Sequence, residues 1–246
     1  DTSALQAAID KAVQEKCNVF FPVGWYRLTS GLNVKTDSIR LEGASGVDTV
    51  LDITDGAASI FSVRDCKEIT IRNFRMIGHT GYAERAGSFT TSSGRGFWAN
   101  SLKHCNAVGI TGTERTLIEN IHASRMASEC FYAWGTARQS TGNNNETIAQ
   151  GGEQPGGFDG RREGPPPLLQ KSLTYLRCSV TDCAANAFNN NDMGENTSVL
   201  YCRVDGAAWH AAEMPARFLK LIGNYVRNAG PFTIGDMSHR EDDLHN

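Results

Sequence analysis

"SVLYCRVD", residues 198–205, decides the fold because versions of it recur along the chain. "ITIRNFRM" (69–76), "TLIENIHA" (116–123), "LTYLRCSV" (173–180) and "LKLIGNYV" (219–226) carry a similar short alternation of apolar and polar residues. Val180, Val204 and Val226 stand at separations of 24 and 22. A second series interleaves with the first: "CFYAWG" (130–135), "AFNNND" (187–192), "AWHAAE" (208–213) and "PFTIGD" (231–236). In it Phe188, Trp209 and Phe232 are 21 and 23 apart. Phe131 to Phe188 is 57 residues, but 136–170 is a Gly-, Pro- and Asn-rich insertion of 35, and removing it leaves 22. A unit of that length with short strands and no helix cannot bury its apolar side alone. It must stack on its neighbours, which gives a solenoid of parallel strands. A β-sandwich would need antiparallel hairpin turns, and leucine-rich repeats would show a dense Leu consensus that is absent.

Outward from the repeats, "DTSALQAAIDKAVQEK" (1–16) reads as an amphipathic helix. Asp1, Thr2 or Ser3 can cap it, and Leu5, Ala8, Ile9, Ala12 and Val13 share one face. "NVFFPVGWYRL" and "LNVKTDSIRLEG" then switch to β-type alternation broken by turns, and no second convincing helix follows. The opening as a whole, through Asp1, Thr2, Ala4, Leu5, Gln6, Ala8, Ile9, Asp10, Pro22, Gly24 and Tyr26, resembles that of the pectate-lyase-like right-handed β-helix superfamily. Cys17 and Asn18 stand where that family commonly has a Gly pair. The resemblance implies a single right-handed parallel β-helix over 1–246, all-β apart from a helix that caps its N-terminal end. "SHREDDLHN" at the other end supplies no cap, so further coils are expected beyond it. The chain opens at Asp1 without a Met, which leads us to expect a trimmed start.

Composition bounds the function. A net charge of −3 gives no reason to expect nucleic acid, which demands clustered cations. No apolar run is long enough to span a bilayer, so no membrane partner is expected. Seven cysteines, an odd number with no C-x-x-C pair, argue against a complete disulfide framework and against thiolate metal sites. Most are expected to fill the core.

Stacking puts equivalent positions about 4.8 Å apart. Phe131, Phe188, Trp209 and Phe232 then form an inward aromatic ladder, with Ala133, Asn190, Ala211 and Ile234 inward two residues later. Asn190 must find a hydrogen-bond partner, and the expectation is backbone at a turn. Tyr132, Asn189, His210 and Thr233 face outward, followed by Trp134, Asn191, Ala212 and Gly235. The strand-end column reads Gly135, Asp192, Glu213 and Asp236, an acid ladder over three coils. Such acids can merely solvate a corner. Beside Asn189, Asn191, His210, Tyr132 and Trp134 they also fit a carbohydrate site, with the two aromatic rings stacking on sugars.

Glycoside hydrolysis needs two carboxyl groups, about 5–5.5 Å apart for retention and 6.5–9.5 Å for inversion. Stacked coils supply either spacing, so Asp192, Glu213 and Asp236, with His210, are the expected catalytic group. "NNND" with His210 resembles the aspartate cluster of polygalacturonases, whose fuller motifs are absent. The alternative is a polysaccharide lyase acting on a uronate by β-elimination. Asp192, Glu213 and Asp236 would then hold Ca²⁺, with His239 or Arg240 as base and Arg217 or Lys220 behind them. Hydrolysis needs no cofactor. The insertion 136–170 leaves the stack after Trp134 and is expected to wall the cleft, with Asp159, Arg161 and Arg162 near substrate. The expected partner is a polysaccharide, and the expected location is extracellular or on a cell or virion surface. The third reading is a non-catalytic glycan-binding tailspike or adhesin, which would be a homotrimer.

Overall fold

A computed structural model describes residues 1–53, 59–78, 105–134, 171–190, 194–208, 210–214, 216–229 and 232–233. Among them is one helix, α1 (Thr2–Glu15), followed by short strands that all pair in parallel. One sheet has seven strands: Leu32–Val34, Phe61–Arg64, Val108–Thr111, Phe131–Trp134, Phe188–Asn190, Ala212–Glu213 and Phe232–Thr233. Each pairs with the equivalent strand of the next coil. The other sheet has 14 strands and bends over the two remaining sides of the coil. The chain is therefore a parallel β-helix.

The bends recur because the backbone recurs. Asn73, Asn120, Arg177, Tyr201 and Gly223 occupy equivalent corner positions, and all have positive φ. Ser38, Glu68, Arg115, Ser172, Asn196 and Phe218 form a second such column. Arg125, Asp182, Gly206 and Asn228 form a third. A non-glycine residue gives up steric comfort in this region. The full set of interstrand bonds that each corner aligns offsets that cost.

The pairing Val180↔Val204↔Val226 agrees with the repeat spacing. Phe131 and Phe188 are register partners on successive coils, and the insertion expected at 136–170 lies outside the described residues. A second long connection falls between the repeats at 69–76 and 116–123. Ile71 and Ile118 are partners 47 residues apart, so the connection between Gly78 and Cys105 carries about one extra coil length.

α1 closes the first coil. Ile9 and Ala12 are buried, and Leu5 and Val13 pack against the core, but Ala8 is exposed, so the buried stripe is narrower than the helical pattern predicts. Asp1 is the N-cap residue, yet its carboxylate accepts from the backbone N–H of Arg27 at 3.0 Å instead of capping the helix. Thr2 Oγ1 accepts from Thr29 N–H at 2.8 Å. Gln6 accepts from Asn33 N–H at 2.8 Å and donates to the Asn33 carbonyl at 3.1 Å. Tyr26 O–H donates to the Pro22 carbonyl at 3.0 Å. The polar residues of the opening motif thus pin the helix to the first coil and close its turn.

One apolar cluster runs along the interior, with a few buried polar residues such as Thr116 and Asn190 among it. Phe21, Phe61 and Phe74 pack edge to face near the helix, and Phe131 stacks on Phe188 with centroids 5.1 Å apart. Six of the seven cysteines are buried, and Cys17 is exposed. Replacing Phe131 by Ala should destabilise the protein by about 3–5 kcal/mol. Phe20→Ala, at a residue 62% exposed, should change stability by about 0.5 kcal/mol or less. Chemical denaturation of the two variants checks the assigned inward and outward faces.

Candidate functional site

The register of the seven-stranded sheet corrects the expected columns. Phe188 lies opposite Ala212, not Trp209, and Asn189 lies opposite Glu213, not His210. Glu213 is in turn paired with Thr233. Glu213 of the expected acid ladder therefore stands beside Asn189 and Thr233, while its other members are Asp192 and Asp236. Those two aspartates lie outside the described residues, as do Asn191, Asp159, Arg161, Arg162, His239 and Arg240. Trp134 ends its strand in register with Thr111. Arg217 and Lys220 belong to strands of the other sheet.

The physical reason for the slip is side-chain size. The coil that should contribute an aromatic is filled by Ala211, Ala212 and Met214, all buried. Trp209, three residues upstream of Ala212, stands where an aromatic pattern finds a match.

The corrected outward column is Ser62, Gly109, Tyr132, Asn189 and Glu213. A second polar column lies three residues upstream, at the corner leading into the sheet: Ser59, Asn106, Glu129, Asn186 and His210. Backbone bonds keep it in line, from Ile60 N–H to Asn106, Cys130 N–H to Asn186 and Ala187 N–H to His210 carbonyls, at 2.8, 3.0 and 3.0 Å. Asn106 Nδ2 reaches Ser59 Oγ at 3.5 Å. Glu129 is buried, and its carboxylate accepts from the Ser128 hydroxyl.

The two columns meet at Asn186, which is 0% exposed. Its Oδ1 accepts from the His210 backbone N–H at 3.2 Å. That fixes the amide, so Nδ2 faces Glu213 and donates to Oε2 at 2.6 Å. The donor holds the carboxylate in one orientation. The His210 ring is 4.0 Å from the same oxygen, too far for a hydrogen bond, and burial lowers its pKa from the ordinary 6.5. Burial therefore favours the neutral imidazole.

Asn189 is 2% exposed, so it does not face open solvent as the alternation predicts. Its Oδ1 has no hydrogen-bond partner among the described residues. Asn190 is buried as expected, but its partner is a side chain, Thr197 Oγ1, at 3.5 Å from Nδ2. No group of three His, Cys, Asp or Glu among the described residues is placed to hold a metal ion. Asn186 and Glu129 were missed from the sequence, although a signal existed. "SIF", "NAV", "ECF", "NAF" and "HAA" place a polar residue two before each inward strand position.

No family model matches the sequence, and no curated protein matches it. Solved structures do resemble the fold. A "putative glycosyl hydrolase" from Parabacteroides merdae aligns over 96% of this chain and 92% of its own, with TM-score 0.60 and 14% identity. The catalytic unit of the α-1,3-glucanase of Streptomyces thermodiastaticus aligns at TM-score 0.48 and 12% identity, over 95% of this chain and 38% of its own. Pantoea stewartii WceF, a glycan biofilm modifying enzyme with a tailspike-like parallel β-helix, aligns at 0.38 and 12%, over 93% of this chain and 36% of its own. The full-length likeness to the first is one of fold.

His210 gives a direct check on this corner. Because its folded pKa lies below the unfolded value, the unfolded chain gains a proton first as pH falls through about 6.5. Its contribution to stability is intact above that pH and declines below it. The Tm advantage of the native chain over His210→Gln should therefore shrink between about pH 7.5 and pH 5. Thermal unfolding across that range measures it.

Proposed function

We propose that this protein is a carbohydrate-active enzyme, a glycoside hydrolase. Its polysaccharide would lie along the outer side of the seven-stranded sheet, on a helix coiled right-handed as parallel crossovers almost always are. The observation that carries the reading is Glu213, whose carboxylate is oriented by the buried amide of Asn186 in the same column as Asn189 and Tyr132. A carboxylate held in one orientation by a buried donor suits the base or nucleophile of glycoside hydrolysis. The proton donor to the leaving oxygen must be a second carboxyl group. Asp192 and Asp236, each three residues past a register partner of Glu213, are the proposed candidates. His210 limits water around Glu213, and Tyr132 offers a ring to stack on a sugar. The full-length fold likeness to a "putative glycosyl hydrolase" accords with this reading. No helix among the described residues is long and apolar enough to cross a membrane, and we propose that the enzyme meets its substrate outside the cell.

A panel of neutral and acidic polysaccharides tests it, with reducing ends and the ultraviolet absorbance of unsaturated uronates followed together, with and without EDTA. Reducing ends alone are expected. Both signals, lost on chelation, would replace the reading with a calcium-dependent lyase. Neither signal, with a trimer by light scattering, would replace it with a binding spike. On the substrate found, Glu213→Gln should lower kcat by about 10³-fold or more, and Asp192→Asn should be similarly damaging. Asn186→Ala should cost about 10²-fold, mainly in kcat, because Glu213 loses its orientation. A Glu213→Gln enzyme at full turnover would remove that residue from the mechanism.

A further inference from the structure

The corner between the two sides of the 14-stranded sheet holds two thiols that neither the site nor the fold requires. Cys178 and Cys202 directly precede the register partners Ser179 and Arg203, and Arg203 N–H donates to the Cys178 carbonyl at 2.9 Å. The two cysteines are therefore stacked on successive coils, with α-carbons about one strand spacing apart, inside the range that a disulfide spans. Their corners also match, since Arg177 and Tyr201 both have positive φ and send the next side chain in the same direction. Cys178 N–H lies 3.4 Å from Cys202 Sγ. Both thiols are buried, and each also reaches backbone carbonyls, Cys178 those of Ile118 and Leu176 at 3.4 and 3.6 Å and Cys202 those of Leu200 and Tyr175 at 3.4 and 3.7 Å.

We propose that Cys178 and Cys202 are a redox pair that closes to a disulfide linking two successive coils. The oxidant is a low-molecular-weight disulfide such as oxidised glutathione, acting while the coils assemble and before the corner is buried. The Cys202 thiolate attacks it, releasing one glutathione thiolate and leaving a mixed disulfide. Cys178, after losing its proton, attacks the Cys202 sulfur and releases the second glutathione. Two protein thiols are oxidised by two electrons, and one small disulfide is reduced to two thiols.

Other pairings are less suited. Cys183 contacts Cys130, but its register partner is Met126, four residues away from Cys130. A Cys178–Cys202 bond joins residues 24 positions apart, so it would tie one whole coil to the next.

The test needs no substrate. The protein is refolded from denaturant with oxidised plus reduced glutathione, or with dithiothreitol, then unfolded and alkylated. After oxidation two of the seven cysteines should escape alkylation, and peptide mapping should recover one linked peptide holding Cys178 and Cys202. The oxidised form should unfold several degrees higher, and dithiothreitol should abolish the difference. Cys202→Ala should lose both the linkage and the difference, while remaining folded by circular dichroism. Seven alkylated cysteines after oxidation, or a bond joining any other pair or two chains, would overturn the proposal. Mapping is done on the native sequence, so a variant that fails to fold leaves the outcome decisive.

Discussion

A strand in a parallel stack must satisfy its backbone on both sides, and in this chain it can do so only if every coil turns at the same place. The three columns of positive-φ corners meet that requirement. They make Val180, Val204 and Val226, or Phe131 and Phe188, fall directly over one another although the connecting lengths range from 22 to 57 residues. Long excursions are tolerated because they leave and return at corners, where they need not disturb the ladder. Loop length costs little closure entropy, while one slipped residue in a strand would invert its faces.

The same register converts isolated polar residues into a site. Asn186 and Glu213 are 27 positions apart and belong to neighbouring coils. Stacking brings the amide under the carboxylate and leaves the backbone of His210 to fix the amide's orientation. Burial then acts on both partners of Glu213: it holds the amide dry and favours the neutral imidazole. A β-helix builds chemistry in this way, with one residue from each coil and the spacing between them fixed by the sheet.

Much of the fold was legible in the sequence, because β-branched and apolar residues recurred at one period and the opening motif had a physical purpose in Asp1, Thr2, Gln6 and Tyr26. The second long connection was legible only as a doubled spacing, the 47 residues between "ITIRNFRM" and "TLIENIHA", which the period alone does not distinguish from an intervening coil. The site was legible only in part. Tyr132, Asn189 and Thr233 fell into the column assigned to them, but Glu213 replaced His210 there. Trp209 drew the alignment three residues away from a coil whose core is alanine, and size-based patterns cannot find an alanine. Asn186 escaped notice for a related reason. It lies at a corner, where strand alternation gives no instruction about which side chains are buried.

The central claim is that Asn189 and Glu213 are stacked neighbours, with Asn186 holding the Glu213 carboxylate. A crystal structure of the native chain tests this most directly. The account predicts α-carbons of Asn189 and Glu213 about one strand spacing apart, and the Asn186 amide within hydrogen-bond distance of Glu213. Density placing His210 opposite Asn189, or turning the Glu213 side chain away from Asn186, would contradict it.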